Sequence, residues 1–219
     1  MKDNFTQHPA ISPESLHTYK ELHTAAWKLC SDYIIVAGRP VIPLGAHGEQ
    51  ALRKAVTLFL DAVEIVSYDW KPFWTMGKIY ERLGEYEHAL DYFDEAYKVC
   101  TVESSIPREA CRMALELQDH ERALDYSNIA LAIAPDDWSL WSNKALIQIL
   151  MNRLDDALDS ITEARRIDAT HTIPRNIAIL IDLIKQGRVD PPRVLGDFYD
   201  LNLRKTISKT AREENTVPQ

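Results

Sequence analysis

A recurrence at intervals of 34 residues constrains this chain more than any other feature of its sequence. When the sequence is aligned with itself at that offset, alanine recurs in two columns that stand seven residues apart within each copy. The first column is Ala55, Ala89, Ala123 and Ala157, and the second is Ala62, Ala96, Ala130 and Ala164. Between the alanine columns stand Phe59, Phe93, Ser127 and Ile161. A fixed period of this size predicts an array of small units that stack on one another.

The spacing within each copy is helical, because apolar residues recur at intervals of three, four and seven. The alanines have a steric reason: two antiparallel helices approach closely only where the side chain between them is small. A larger side chain at such a crossing would cost roughly 1–3 kcal/mol. We therefore expect both alanine columns to be buried where paired helices cross.

The clearest copy, residues 70–103, resembles the tetratricopeptide repeat (TPR). The positions that carry the resemblance are Phe73, Met76, Gly77, Tyr80, Gly84, Ala89, Phe93 and Ala96. Residues 104–137 and 138–171 resemble the repeat less closely, since the first of these copies has Cys111 and Ala114 where the family has glycine and tyrosine. The resemblance implies an all-α, TPR-type solenoid of helical hairpins.

The flanks of these copies are irregular. We expect an N-terminal tail over residues 1–12. Residues 13–69 should form a long helix from Pro13 to about Val36, a loop and a degenerate repeat helix. Residues 172–204 predict a partial repeat and a capping helix, because Pro191 and Pro192 interrupt the pattern. The last segment, residues 205–219, is predicted to be a flexible tail.

Composition narrows the function. A net charge of -8 and an isoelectric point near 5.4 disfavour nucleic-acid binding. The three cysteines form no CxxC pair, which favours buried thiols and a reducing compartment. The sequence shows no signal peptide and no apolar run long enough for a membrane, so we expect a cytoplasmic protein without membrane insertion. It also lacks phosphate-loop, dinucleotide, nucleophile-elbow and HExxH motifs, so we expect no enzyme, cofactor or metal site.

In the TPR family the first helix of each repeat lines a groove that holds a peptide. Transferred position by position, the resemblance predicts a partner-binding set of Lys71, Trp74, Lys78, Arg82, Arg108 and Arg112. These cations, gathered around a tryptophan on an acidic protein, favour an acidic peptide. An alternative is a solvated face whose cations pair with Glu81 and Glu116.

A second alternative concerns an apolar trio, Leu146, Ile149 and Leu150, at the same predicted face of the third copy. These residues either form an open groove or are covered by a terminal helix. The sequence thus predicts a protein-interaction scaffold or adaptor, with a client-specific TPR chaperone or a structural subunit of a complex as alternatives. It leaves the partner and the oligomeric state open.

Overall fold

The computed structural model describes residues 10–35 and 42–216, a part of the chain that contains ten α-helices, one short 3₁₀ helix and no β-strand. The predicted all-α class is confirmed. The chain divides into two compact units, Met1–Thr101 and Val102–Gln219.

The first unit contains two helical hairpins. The helix α1 packs on α2, α2 on α3, and α3 on α4. Their bounds are α1 (Pro13–Cys30), α2 (Ala46–Ile65), α3 (Trp70–Leu83) and α4 (Tyr86–Val99). The Ser12 side chain caps α1: its hydroxyl accepts a hydrogen bond from the backbone N–H of Ser15 at 3.0 Å. The Asp69 carboxylate caps α3 in the same way, at 3.0 Å from the N–H of Lys71.

The second unit continues the hairpin pattern. Its helices are α5 (Ser105–Glu116), α6 (His120–Ile133), α7 (Trp138–Leu150), α8 (Leu154–Ile167), α9 (Thr172–Lys185), a 3₁₀ helix (Leu195–Tyr199) and α10 (Leu201–Thr216). From α5 to α9, each helix packs on the next one in the sequence. The 3₁₀ helix and α10 follow after a non-helical segment. The aspartates at 119 and 137 cap α6 and α7, as Asp69 caps α3.

Both alanine columns are buried, as the recurrence predicts. All eight alanines have no exposed surface, namely Ala55, Ala62, Ala89, Ala96, Ala123, Ala130, Ala157 and Ala164. Gly77 provides the same close approach within the first unit, since a Cβ atom built there would lie 2.7 Å from Cε1 of Phe93. Close packing of the helices therefore requires small residues at these positions.

In three hairpins the turn between the paired helices has the same backbone conformation, and this turn recurs every 34 residues. Gly84 ends α3 with φ 76°, and the residues 34 and 68 positions later, Gln118 and Asn152, have φ 59° and 56°. Glycine adopts this left-handed conformation at little cost, whereas other residues adopt it less readily. The same turn is thus retained in two copies that have lost its preferred residue.

The predicted long first helix is too long. The helix α1 ends at Cys30, where the carbonyl oxygen accepts hydrogen bonds from the N–H groups of Tyr33 and Ile34 in a tight turn. The end predicted at Val36 lies outside the described residues, as does part of the predicted loop. The helix α2 begins at Ala46 and includes Gly48, whose hydrogen faces the ring of Tyr33.

The prediction of a flexible tail from residue 205 is wrong, because α10 extends through most of that segment. The predicted capping helix is also divided: Asp200 separates the 3₁₀ helix from α10 and accepts hydrogen bonds from the N–H groups of Asn202 and Leu203. Ile207 is buried against α9, and Arg175 donates to the carbonyl oxygen of Ala211 at 2.9 Å. These contacts order a segment whose charged composition indicated disorder.

The cysteines are free, as expected, and two of the three are buried. Burial raises the pKa of both the Cys30 and Cys111 thiols to about 12. Cys100 is half-buried. The first two thiols therefore stay protonated and pack as small apolar groups.

Candidate partner-binding surfaces

Two of the three cations predicted in the first unit have structural partners. The Lys78 side chain is 2% exposed, and its ammonium lies 2.5 Å from a carboxylate oxygen of Glu81, which is equally buried. The Arg82 guanidinium donates to the carbonyl oxygens of Tyr33 at 2.9 Å and Ile42 at 3.0 Å. Lys78 therefore lies beneath the surface, and Arg82 ties α3 to the connection between α1 and α2.

The other two predicted residues of this unit, Lys71 and Trp74, lie together at a pocket between α1 and α3. Its volume is about 400 Å³ and its surface is mainly apolar. The residues that line it are His23, Thr24, Trp27, Trp70, Lys71, Trp74 and Thr75. We call it the tryptophan pocket. Sequence reasoning missed Trp27 and Trp70, although three tryptophans in two short helical segments are a signal in themselves.

Two contacts hold the walls of the tryptophan pocket in place. The Tyr19 hydroxyl of α1 donates a hydrogen bond to the Asp69 carboxylate at the start of α3, at 2.6 Å. His23 packs edge-on against the buried Phe59 ring, with the centroids 5.5 Å apart. Burial lowers the pKa of His23, an effect that Asp69 opposes and Lys71 reinforces, so the imidazole is neutral at pH 7.

In the second unit, the two predicted arginines line one cavity of about 240 Å³. Its other lining residues are Glu109, Cys111, Leu115, Asn143, Leu146, Leu195 and Tyr199. Arg112 donates to the Glu109 carboxylate at 2.9 Å, not to Glu116 as the alternative supposed. Arg108 is exposed, and its guanidinium has no hydrogen bond or ion pair to any residue that the structure describes.

The apolar trio is only partly covered by the chain itself. Ile149 has no exposed surface, and Leu146 packs with it in a core cluster that includes Phe198 of the 3₁₀ helix. Leu150 packs in a neighbouring cluster beside Leu195. The 3₁₀ helix also forms one side of the cavity at Arg108, and the half-buried Leu146 lines the same cavity.

Comparison with known proteins identifies one of the repeats. Residues 72–100, which run from α3 to just past the end of α4, match the family model of the tetratricopeptide repeat. The chain contains a TPR. The match covers the hairpin that carries Gly77, Gly84 and Ala89 in the positions described above.

One curated TPR relative is Anaphase-promoting complex subunit 3 of Schizosaccharomyces pombe, which is 34% identical over 104 residues. That stretch is 47% of this chain but only 16% of the fission-yeast subunit. The similarity therefore concerns one part of that protein and not the whole of it.

Solved structures confirm the TPR-type helical-repeat solenoid as the fold class. Residues 41 to the end of MamA from Desulfovibrio magneticus RS-1 match with a TM-score of 0.62 at 13% identity, over 94% of this chain and all of that chain. YrrB, described as a TPR protein with an unusual peptide-binding site, matches with a TM-score of 0.54 at 19% identity. The match covers 64% of this chain and 72% of the YrrB chain. At such identities the likeness concerns the fold alone.

In the part of the chain that the structure describes, no helix is both long and apolar enough to cross a membrane. Among the same residues, no group of three or more histidine, cysteine, aspartate or glutamate side chains is placed to hold a metal ion.

Proposed function

We propose that this TPR protein is an interaction scaffold whose hairpins bind an acidic segment of a partner protein. The observation that carries the proposal is the cavity in the second unit, where Arg108 presents a guanidinium without a partner among the described residues. Arg112 stands four residues along α5 and therefore on the same helix face. Arginine binds carboxylates through two parallel hydrogen bonds, so this face suits aspartate or glutamate side chains.

The polar rim of the cavity supports the same ligand. Asn143 adds an amide, and Leu115 with Leu146 adds apolar surface beside the guanidinium groups. An interface with an apolar centre and charged groups at its edge is typical of protein recognition. The peptide-binding description of YrrB is consistent with this use of the fold.

Affinity capture tests the proposal. The immobilised full chain, the double variant R108E/R112E and the control R165E/R166E would be exposed to one native lysate, and the bound proteins identified by mass spectrometry. The control arginines are exposed on α8 and undergo the same change of charge. We expect one protein to be recovered by the wild type and the control, and about tenfold less by R108E/R112E, which corresponds to roughly 1.4 kcal/mol.

Equal recovery by all three proteins would overturn the role of this face. It would instead favour a structural subunit that is held in its assembly by other surfaces. Co-expression separates the chaperone alternative from the scaffold. A client of a dedicated chaperone becomes soluble only when this chain is present, whereas a scaffold's partner is soluble alone.

A further inference from the structure

The tryptophan pocket in the first unit has the properties of a second recognition element. Trp27, Trp70 and Trp74 each keep part of their surface exposed around one concavity of about 400 Å³. Grouped tryptophans that remain accessible are typical of binding sites, because their large apolar surface is stabilised when a ligand covers it. A pocket of this volume is in the range of small-ligand sites, about 300–1,000 Å³.

The indole groups of Trp70 and Trp74 differ from that of Trp27 in their packing. Trp27 packs against the core cluster around Phe59, whereas Trp70 and Trp74 join neither that cluster nor the one at Tyr19. The indole N–H of Trp74 is out of contact with solvent and has no acceptor among the described residues. A buried donor without a partner is unfavourable, and an oxygen atom of a bound segment would offset that cost after a small tilt of the ring.

The charges around the pocket determine the kind of segment. Lys71 is exposed at its rim, and Lys20 and Lys28 stand one helical turn on either side of Thr24 in α1. None of the three ammonium groups has a partner among the residues that the structure describes. The nearby carboxylate of Asp69 is engaged with the Tyr19 hydroxyl and the Lys71 backbone N–H.

The pocket is also formed in advance of binding. The hydrogen bond from Tyr19 to Asp69 joins α1 to the start of α3, and the Thr75 hydroxyl donates to the carbonyl oxygen of Lys71 at 2.8 Å. A site whose walls are already fixed loses less conformational entropy when a ligand binds.

We propose that the tryptophan pocket binds a large apolar side chain, preferably an aromatic one, of a partner segment whose flanking residues are acidic. The indoles and the methyl group of Thr24 enclose the side chain, and Lys20, Lys28 and Lys71 bind the flanking carboxylates. This inference rests on the proposed function and adds to it a sequence preference that the cavity at Arg108 does not specify.

Three synthetic peptides test the inference. The probe is Ac-EEGFGEE-NH2, the first control replaces phenylalanine by alanine, and the second replaces every glutamate by lysine. Binding to the full chain would be followed by NMR, through the indole N–H signals of the five tryptophans. We expect the probe to shift the signals of Trp27, Trp70 and Trp74 and to leave those of Trp138 and Trp141 unchanged.

Variants assign the effect to the pocket. W70A removes a half-buried pocket side chain, and K71E reverses a rim charge. We expect each to weaken binding of the probe about tenfold or more, as for anchor residues at interfaces. W141A, in the second unit, is the matched control and should bind as the wild type does. If W70A were unfolded by circular dichroism, K71E and the alanine peptide would still decide the outcome.

Several results would overturn the inference. Equal affinity for the phenylalanine and alanine peptides would show that the pocket is not filled. Tighter binding of the lysine peptide would identify an aromatic cage for cations instead. No binding of the probe at millimolar concentration would exclude the pocket as a binding site for this kind of segment. The proposed function is decided separately, by how much partner protein R108E/R112E recovers in the capture experiment.

Discussion

Replacement of Gly77 by alanine tests the helix crossing in α3. Gly77 is interior to the helix, where alanine is favoured over glycine by about 1 kcal/mol. The structure opposes that gain, because the new Cβ atom would lie 2.7, 2.9 and 2.9 Å from three ring atoms of Phe93. The ring has no exposed surface. An overpacked core site costs typically 1–3 kcal/mol, so G77A should destabilise the protein by roughly 1–2 kcal/mol overall.

A double-mutant cycle tests the same contact, because the effect of G77A on the free energy of unfolding should change sign when Phe93 is replaced. In F93L the flat ring is replaced by a smaller side chain, so the contact that opposes the new methyl group is relieved. In that background G77A should be neutral or stabilising by up to about 1 kcal/mol, through helix propensity alone. The free energies of unfolding would come from urea titrations followed by circular dichroism. If G77A stabilised the protein with Phe93 present, the close crossing of α3 and α4 would be refuted.

Three further predictions concern other parts of the fold. A123L should destabilise the protein by roughly 1–3 kcal/mol in urea unfolding, while A132L, at an exposed position of the same helix, should have little effect. At pH 8 a thiol reagent should modify Cys100 well before Cys111 in the native protein, because the Cys111 pKa of about 12 keeps it protonated until the pH approaches that value. I207D should release α10, which would appear as faster hydrogen exchange confined to that helix and its contacts on α9.

The sequence predicted the helical hairpins well because their determinants are local and repeated. The alanine columns have a steric role that the 34-residue period makes visible, and Gly77 and Gly84 have one that the resemblance to the TPR indicates. The turns at Gln118 and Asn152 were not predicted, since neither residue is specific for the left-handed conformation. Their spacing from Gly84 was the available signal.

The candidate site was harder to predict because helix position does not determine burial. Lys78 and Arg82 follow the predicted face of α3, but Lys78 pairs with Glu81 in the interior and Arg82 binds carbonyl oxygens of the preceding connection. Both outcomes depend on what packs against α3. The register of α1 against α3, which brings Trp27 to Trp70, likewise depends on contacts distant in sequence.

The C-terminal segment shows the limit of composition as a guide. Residues 205–219 are rich in charged and polar groups, which indicated a flexible tail. Leu203, Ile207 and Ala211 nevertheless recur every fourth residue and form one narrow apolar face. That face is short, and it is stabilised because α9 offers an apolar surface on which it packs.

Hydrogen exchange of the full chain, measured by mass spectrometry with and without the acidic phenylalanine peptide, tests the central claim most directly. That claim is that the first helices of the hairpins carry the binding surface and that the second helices support it. The account predicts slower exchange in α1 and α3 at saturating peptide, with α4 and α8 unchanged. Slower exchange confined to α4 or α8 would contradict it.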